Sequence, residues 1–381
     1  MNARSDMENV GNPFSDVKNI LTATELIDIA FNKAMKIKPP SGRHDALSKT
    51  RILEINRINT AANVLVNNIE NMVSNFPSLN LIHPFYLELT SILLDVDDLR
   101  RNLGRINGVT EHIRNLEDEL KDKILSEDSK VQVKNIRKIA FARYASMIKR
   151  IKTSLQYVKK AQNKLKPLPG FNPYSPSIVV CGFPNTGKSS FIRHTTSGKP
   201  EVANYPFTTK KIIFGHRKFG FMNVQFIDTP GLLDRPIIER NVIELQAIAV
   251  FKHLADILIY LIDPTINATA TIMEQLNLYK EIQKFYPMTL LLPVISKCDL
   301  LTKEELITVN NTIINCDIIK PETKIWTVHT NDESGVTEII SYLEEKVLTD
   351  FINSPKFKQI SSFEIADDQL TYDELDEEEF F

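Results

Sequence analysis

Ser177-Ile-Val-Val-Cys-Gly-Phe-Pro-Asn-Thr-Gly-Lys-Ser-Ser190 is the stretch of this sequence that decides its fold. An apolar run leads into Gly182-x-x-x-x-Gly187-Lys188-Ser189, a pattern typical of a strand, a phosphate-binding loop and the start of a helix. Glycine lets the backbone curl until several N–H groups point at one centre, where the dipole of the following helix favours an anion. The alternative is a glycine-containing turn that binds nothing, but the length of the pattern and the strand before it favour a phosphate-binding loop.

The side chains of this loop have separate chemical tasks. Lys188 brings a positive charge to the β- and γ-phosphates of a nucleotide, and Ser189 offers a hydroxyl to Mg²⁺. The predicted phosphate-binding residues are Gly182, Phe183, Pro184, Asn185, Thr186, Gly187, Lys188, Ser189 and Ser190.

Two motifs after the loop predict a magnesium site and a switch. The carboxylate of Asp228-Thr229-Pro230-Gly231 follows a predicted strand and can hold Mg²⁺, while the Gly231 N–H can sense the γ-phosphate. In Tyr205-Pro-Phe-Thr-Thr209, Thr209 is the first choice for a further hydroxyl and Thr208 the alternative; a plain proline-containing loop is the other interpretation. The predicted Mg²⁺ ligands are Ser189, Thr209 and Asp228, and the predicted switch residues are Thr208, Thr209, Asp228, Thr229, Pro230, Gly231 and Leu232.

A third motif predicts which base is bound. Ser296-Lys297-Cys298-Asp299 follows an apolar strand pattern. The Asp299 carboxylate can accept from both N1–H and N2–H₂ of guanine, a donor pair that adenine lacks, and the aliphatic stem of Lys297 can cover the base. Taken together with the earlier motifs, this pattern predicts GTP and GDP, with Mg²⁺, as the ligands.

The order of helix and strand patterns predicts an α plus α/β chain. From Ser177 onward the two alternate, which is typical of a mostly parallel sheet with helices on both faces. Before residue 170 only helical patterns occur: a helix capped at Thr22, a long one over 45–75, interruptions at Gly104 and Gly108, and a last helix over 131–165. The predicted domains are a helical bundle over 1–168, a P-loop GTPase domain over 169–352 that begins with a proline-rich linker, and an acidic, disordered tail over 353–381.

Composition narrows the class of protein. The chain has 381 residues, a formal net charge of −2, 43% hydrophobic residues and 25% charged residues, as is ordinary for a globular protein. No apolar run is long enough to span a bilayer, residues 1–10 carry no signal-peptide pattern, and the three cysteines lack metal-ligand spacing. These features predict a cytoplasmic protein with reduced thiols and no membrane partner.

The charge is unevenly distributed along the chain. No Asp or Glu occurs between Asp128 and Glu201, whereas the last predicted helix of the bundle is rich in Lys and Arg. Two interpretations stay open: a solvated face of a bundle helix, or a surface that binds RNA through its phosphates. The candidate RNA-binding residues are Lys149, Arg150, Lys152, Lys159 and Lys160.

Together these motifs resemble a TRAFAC-class GTPase, and two of them narrow the resemblance. Tyr205-Pro-Phe-Thr-Thr209 and Asp228-Thr-Pro-Gly-Leu-Leu-Asp-Arg-Pro236 look like the Obg–HflX–Nog superfamily. The helical part is similar to the Nog family, the nucleolar GTP-binding proteins and their archaeal relatives, in Asn12-Pro-Phe14, Thr24-Glu-Leu-Ile-Asp28, His83-Pro-Phe-Tyr86, Asp95-Val-Asp-Asp-Leu-Arg100 and Leu103-Gly-Arg105. The resemblance spans residues 12–351, and because the long C-terminal extension of eukaryotic members is absent here, it is to the shorter archaeal form.

Three departures from the family pattern bear on function. Ser296 replaces the usual Asn, and His329-Thr330 stands where the family has Ser-Ala at the guanine; whether these changes weaken guanine affinity stays open. Leu232 occupies the place of the water-orienting Gln of Ras-like enzymes. Several GTPases that this chain resembles use K⁺ held partly by a phosphate-loop Asn, so Asn185 is a candidate K⁺ ligand, unless it merely fits the turn.

The resemblance implies a slow GTPase that assists assembly of the large ribosomal subunit. Its expected partner is the subunit precursor, through rRNA and ribosomal proteins, with no DNA or membrane partner and a monomer off the ribosome. An alternative is a nucleotide-locked RNA- and protein-binding scaffold with little hydrolysis. A membrane-remodelling GTPase is a third, but the sequence offers no lipid anchor or amphipathic insertion helix.

Overall fold

A computed structural model of the chain describes residues 11–41, 45–198, 200–203, 212–229, 233–234, 236, 239, 244, 248, 251–316, 318–319, 323–329 and 334–351. Several predicted features lie outside these residues. They are the tail over 353–381 and the predicted site residues Thr208, Thr209, Pro230, Gly231, Leu232 and Thr330. The described residues form two compact units. One contains Phe14–Ile82 and Leu93–Pro167, and the other contains His83–Ile92 together with the residues before Phe14 and after Pro167.

The first unit is helical throughout. Its helices are α1 (Ala23–Met35), α2 (Ala46–Ser74), α4 (Val96–Ser126), α5 (Lys130–Arg150) and α6 (Lys152–Leu165). The predicted capping box is confirmed: the Thr22 hydroxyl accepts from the Glu25 N–H, and the Glu25 carboxylate accepts from the Thr22 N–H. The helices bury one apolar face each, so packing rather than propensity holds this unit together.

Two boundaries in this unit differ from the predicted ones. Gly104 and Gly108 do not interrupt a helix but lie inside the 31-residue α4, because its buried Leu99, Ile106 and Ile113 outweigh the roughly 1 kcal/mol that each glycine costs. The last helix, predicted as one, is two, since the backbone leaves helical geometry at Ile151 (φ −92°, ψ 8°).

The second unit is built on a seven-stranded sheet, which begins with β1 (Ser177–Cys181), β2 (Glu201–Ala203), β3 (Ile212–Phe219) and β4 (Met222–Asp228). The remaining strands are β5 (Ile257–Ile262), β6 (Leu290–Ile295) and β7 (Trp326–Thr327), and the order across the sheet is β2-β3-β4-β1-β5-β6-β7. β4, β1, β5, β6 and β7 are parallel, while β2 and β3 run antiparallel to their neighbours. The short β2 was not predicted; otherwise the strand pattern and the fold class are confirmed.

Helices between the strands complete this unit: α7 (Lys188–Thr195), α8 (Ile272–Phe285), α9 (Lys303–Asn315) and α10 (Val336–Lys346), which continues as a π-helical turn over Val347–Phe351. Side chains of α7 and α10 join those of the strands in one buried core, which includes Ile192, Val180, Ile259 and Leu343. Every residue of β1 and of β5 is buried, which explains why these strands read as continuous apolar runs. The carboxyl ends of the parallel strands therefore define the edge at which a ligand binds.

One helix that precedes residue 168 belongs to this second unit. In α3 (Pro84–Leu93), the buried Tyr86 places its hydroxyl 2.8 Å from the carbonyl oxygens of both Pro169 and Phe171. The ring of Phe171 in turn contacts the rings of Phe85 in α3 and Phe214 in β3. The predicted linker is therefore a packed part of the second unit, and the domain boundary at residue 168 stays a prediction.

None of the helices in the described part of the chain is long and apolar enough to cross a membrane.

Candidate functional site

The loop between β1 and α7 has the backbone geometry that the sequence predicts. Gly182 (φ +133°), Gly187 (φ +93°) and Asn185 (φ 64°) all have left-handed or related conformations with positive φ. At Gly182 a Cβ atom would lie 2.5 Å from the carbonyl oxygen of Leu261, closer than real Cβ contacts come. Glycine is therefore required at residue 182 both by its dihedral angle and by the approach of β5.

Lys188 is held over the loop by the loop's own carbonyl groups. Its Nζ donates to the oxygen of Gly182 at 2.8 Å and to that of Phe183 at 2.7 Å, and the residue is 6% exposed. Below it, the hydroxyl of Thr186 donates to the same Phe183 oxygen at 2.9 Å. The ammonium group thus lies at the mouth of the loop, where it can exchange these carbonyl partners for phosphate oxygens.

The side chains of Ser189 and Asp228, which are predicted to bind the same Mg²⁺, lie in direct contact. The Ser189 hydroxyl donates to Asp228 Oδ2 at 2.6 Å, and Asp228 is 1% exposed. Burial raises the pKa of Asp228, against the hydrogen bond from Ser189 and the charge of Lys188. The other carboxylate oxygen, Oδ1, is buried without a hydrogen-bond partner among the described residues. Carboxylate and hydroxyl oxygens are ligands that Mg²⁺ prefers, so these residues fit the ion.

A cavity of about 400 Å³ opens between the loop and the end of β4, and one of its lining residues was not predicted. Asp234 is 6% exposed, and the carbonyl oxygen of its neighbour Leu233 accepts from the Gly182 N–H at 3.0 Å. The sequence signal for it was available, because it lies six residues after Asp228 in a quoted motif. The lining residues are Pro184, Asn185, Gly187, Lys188, Ser189, Ser190, Asp228 and Asp234. Gly182, Phe183 and Thr186 belong to the loop without lining the cavity.

Ser296, which stands where the family has Asn, is hydrogen-bonded to the end of a neighbouring strand. Both its N–H and its hydroxyl donate to the carbonyl oxygen of Ile262 at the end of β5, at 2.8 and 3.1 Å. The shorter side chain is thus satisfied locally. Lys297 has positive φ (57°), and its Nζ contacts the carboxylate of the buried Asp263, a second residue that was not predicted.

The two loops predicted to bind guanine lie side by side. The N–H of Cys298 donates to the Val328 oxygen at 3.2 Å, and the His329 N–H donates to the Ser334 oxygen at 3.1 Å. Asp299 lies half-buried in a single 3₁₀ turn over Cys298–Leu300. These loops leave the sheet at the same edge as the phosphate loop, which brings the predicted base site and phosphate site together on one side of the unit.

The candidate RNA-binding residues lie on α5 and α6 of the helical unit. Other basic residues of the acid-free stretch are paired inside this unit: Arg137 lies 2.9 Å from the Glu54 carboxylate, and Arg143 lies 3.4 Å from that of Glu119. The candidates themselves remain at the surface, where Lys149, Arg150, Lys152 and Lys160 are exposed and Lys159 is half-buried.

Two family models match the chain in succession. The model described as "NOG1 N-terminal helical domain" matches residues 14–172, and the one described as "50S ribosome-binding GTPase" matches residues 177–295. The second supports GTP and GDP as ligands of the cavity. A crystal structure of a nucleolar GTP-binding protein 1 from Plasmodium falciparum shares 29% identity, covers 54% of this chain and all of its own, and has a TM-score of 0.38.

Curated relatives carry the same two parts. Nucleolar GTP-binding protein 1 of Drosophila melanogaster is 32% identical over 88% of this chain and 52% of its own length. An uncharacterized protein of the archaeon Methanocaldococcus jannaschii is 34% identical over 78% of this chain and 84% of its own length. The chain thus spans about half the length of the eukaryotic relatives that it matches.

These comparisons correct one expectation and establish another. The prediction of a cytoplasmic protein is wrong, because the eukaryotic relatives are named as nucleolar proteins. The resemblance seen in the motifs is confirmed, since the matches cover both the helical part and the loop that binds phosphate. The chain belongs to the Nog family of GTP-binding proteins.

Proposed function

We propose that this protein hydrolyses GTP to GDP and phosphate and acts as an assembly factor for the large ribosomal subunit, binding its precursor particles. The observation that carries the proposal is the shared cavity of Lys188, Ser189 and Asp228, which offers a cation to phosphate and oxygen ligands to Mg²⁺. The matched models and the names of the relatives support the ribosomal part.

The residues of the cavity have separate tasks at the β- and γ-phosphates of the nucleotide. Lys188 transfers its hydrogen bonds from the loop carbonyls to the β- and γ-phosphates, where it offsets charge that develops during the transfer. Ser189 and Asp228 would hold Mg²⁺, which neutralises phosphate charge when bound. Neither the loop nor the Asp228 motif supplies a water-orienting Gln, so the proposed turnover is slow without the ribosomal particle.

A scaffold that stays locked to one nucleotide is the second candidate function. The local bonding of Ser296 to Ile262 favours it, because the guanine motif then lacks the side chain that usually ties it to the phosphate loop. In that case the exposed basic residues of α5 and α6 would do the work of binding RNA.

Hydrolysis measured with and without purified large-subunit precursor particles separates the two. We expect the particles to accelerate GTP hydrolysis by the full chain and to co-sediment with it more strongly in GTP than in GDP. Tight co-sedimentation that ignores the nucleotide, with no acceleration, would contradict the switch and support the scaffold.

Potassium is proposed as a helper of hydrolysis at Asn185. This residue is exposed at the cavity wall and has positive φ, so its side chain is available beside the phosphates. Hydrolysis should be faster in K⁺ buffer than in Na⁺ buffer of equal ionic strength, and equal rates would contradict the assignment.

Charge reversal of Lys149, Arg150 and Lys152 to Glu should weaken association with the particles and reduce its dependence on salt, because each lysine or arginine bound to a phosphate releases a counterion. Co-sedimentation at several salt concentrations measures both effects. Reversal of Lys303, Lys280 and Lys284 in the other unit is a control for net charge. An equal loss of association in the control variant would indicate that α5 and α6 present an ordinary solvated surface.

Asp299→Asn should lower GTP affinity by about 10- to 100-fold and shift the preference toward xanthine nucleotides, since the amide can donate where the carboxylate could only accept. Competition of GTP and XTP against a fluorescent nucleotide measures the preference. An unchanged preference for guanine would show that the base is recognised elsewhere.

A further inference from the structure

Two acidic side chains line the phosphate cavity, and the sequence motifs assign a role to only one of them. Asp228 was expected there, whereas Asp234 has no assigned role. Both are almost fully buried, at 1% and 6% exposure. Burying a carboxylate costs free energy, which a bound cation offsets strongly, and two carboxylates that line one cavity can both serve the same cation.

The backbone holds Asp234 at the cavity wall. The Gly182 N–H donates to the Leu233 oxygen at 3.0 Å, so the residue before Asp234 is bonded to the first glycine of the phosphate loop. At the other end of this short segment, the Thr229 hydroxyl donates to the Val180 oxygen of β1 at 2.9 Å. The start of the segment and the residue next to Asp234 are thereby both fastened to the strand and loop that bind phosphate.

The charges in the cavity are complementary to a nucleotide with a divalent cation. Lys188 and the N–H groups at the start of α7 present positive charge to phosphate, whereas Asp228 and Asp234 present negative charge. A separate observation also indicates a cation: Asp228 lines this cavity, and its Oδ1 is buried without a hydrogen-bond partner among the described residues.

Magnesium suits this arrangement because it dehydrates reluctantly and usually keeps several of its waters. A carboxylate can therefore contribute to holding the ion through water, without touching it. Loss of such an outer partner typically costs about 10- to 100-fold in metal affinity.

We propose that Asp234 is a positioning residue for the Mg²⁺ of the bound nucleotide, acting through water beside Ser189 and Asp228. The inference rests on the nucleotide binding put forward above and extends it to a residue to which the motifs assign no task. Mg²⁺ retention then depends on two carboxylates, and so does the rate of GDP release to the extent that it depends on Mg²⁺.

Release of fluorescent GDP from the full chain, measured over a range of buffered free Mg²⁺ concentrations, tests the proposal. Asp234→Asn, which keeps the shape and removes the charge, should raise the Mg²⁺ concentration at half-effect by roughly 10-fold or more. In excess chelator, where no Mg²⁺ remains, the variant and the natural protein should release GDP at the same rate. Glu304→Gln, an exposed carboxylate on α9, is the matched control and should leave both quantities unchanged.

Each result bears on the proposal. A half-effect concentration unchanged by Asp234→Asn would overturn it, as would faster release by the same factor at every Mg²⁺ concentration, which indicates a structural role. If the natural protein itself failed to bind GDP, the proposed function and this inference would fall together. Thermal unfolding confirms that the variant is folded, and Asp234→Ser repeats the measurement should Asp234→Asn not fold.

Discussion

Lys188→Ala should lower the affinity for both GTP and GDP by roughly 10²- to 10⁴-fold. The substitution removes the two charge-assisted hydrogen bonds that Lys188 would donate to the phosphates, each worth about 1.5–3 kcal/mol. In the described structure the Lys188 Nζ contacts two carbonyl oxygens of the loop itself, which places the ammonium group where phosphate would bind. Equilibrium titration with a fluorescent GDP analogue measures the loss.

The control for this variant is Lys284→Ala, an exposed lysine near the end of α8. It removes the same charge from the same unit and should bind nucleotide as the natural protein does. GDP affinity within a few-fold of normal in Lys188→Ala would contradict the assignment of the phosphate loop.

Gly182→Ala should destabilise the nucleotide-binding unit by about 2–4 kcal/mol and reduce GDP affinity at least 10-fold. The new Cβ would lie 2.5 Å from the Leu261 oxygen at a backbone φ of +133°, so the loop has to move. Any such movement also disturbs the carbonyl that holds Lys188 and the N–H that holds Leu233. Urea unfolding and GDP titration measure the two effects separately.

Gly104→Ala is the matched control, because the same substitution there meets open space. It lies inside α4, and apart from its chain neighbours and the adjacent helix backbone no atom lies within 4 Å of the added Cβ, so alanine should raise the free energy of unfolding by about 0.5–1 kcal/mol and leave nucleotide binding unchanged. Similar behaviour of the two variants would mean that the close approach of β5 to the loop has been misjudged.

Local chemistry made much of this molecule predictable. The phosphate loop, its lysine and the Ser189–Asp228 pair follow from residue types at fixed spacing, because few sequences curl a backbone around an anion. Strands such as Ile257–Ile262 were evident because both faces of a central strand are apolar. The capping box at Thr22 fixed the start of α1 for a similar reason, since its two hydrogen bonds lie within four residues.

Features that depend on distant contacts were not predictable in this way. Glycine at 104 and 108 reads as an interruption until the buried side chains of α4 are known. No side chain caps the helix that begins after Ile151, so the sequence offers no capping residue that would predict this break. Asp234 stands in the motif that begins at Asp228, but its place at the cavity depends on the hydrogen bond between Leu233 and Gly182, which the sequence does not show.

The anchoring of α3 has a consequence for anyone who dissects this protein into fragments. The chain passes from one compact unit to the other and returns, so the nucleotide-binding unit is discontinuous and cannot be excised with a single cut. A fragment that begins at the proline-rich segment would lose the Tyr86 hydroxyl and leave the apolar ring of Phe171 open to water. Such a fragment is liable to aggregate. During synthesis, the nucleotide-binding unit is complete only when the last strands of its sheet have been made and have packed with α3, which is synthesised much earlier.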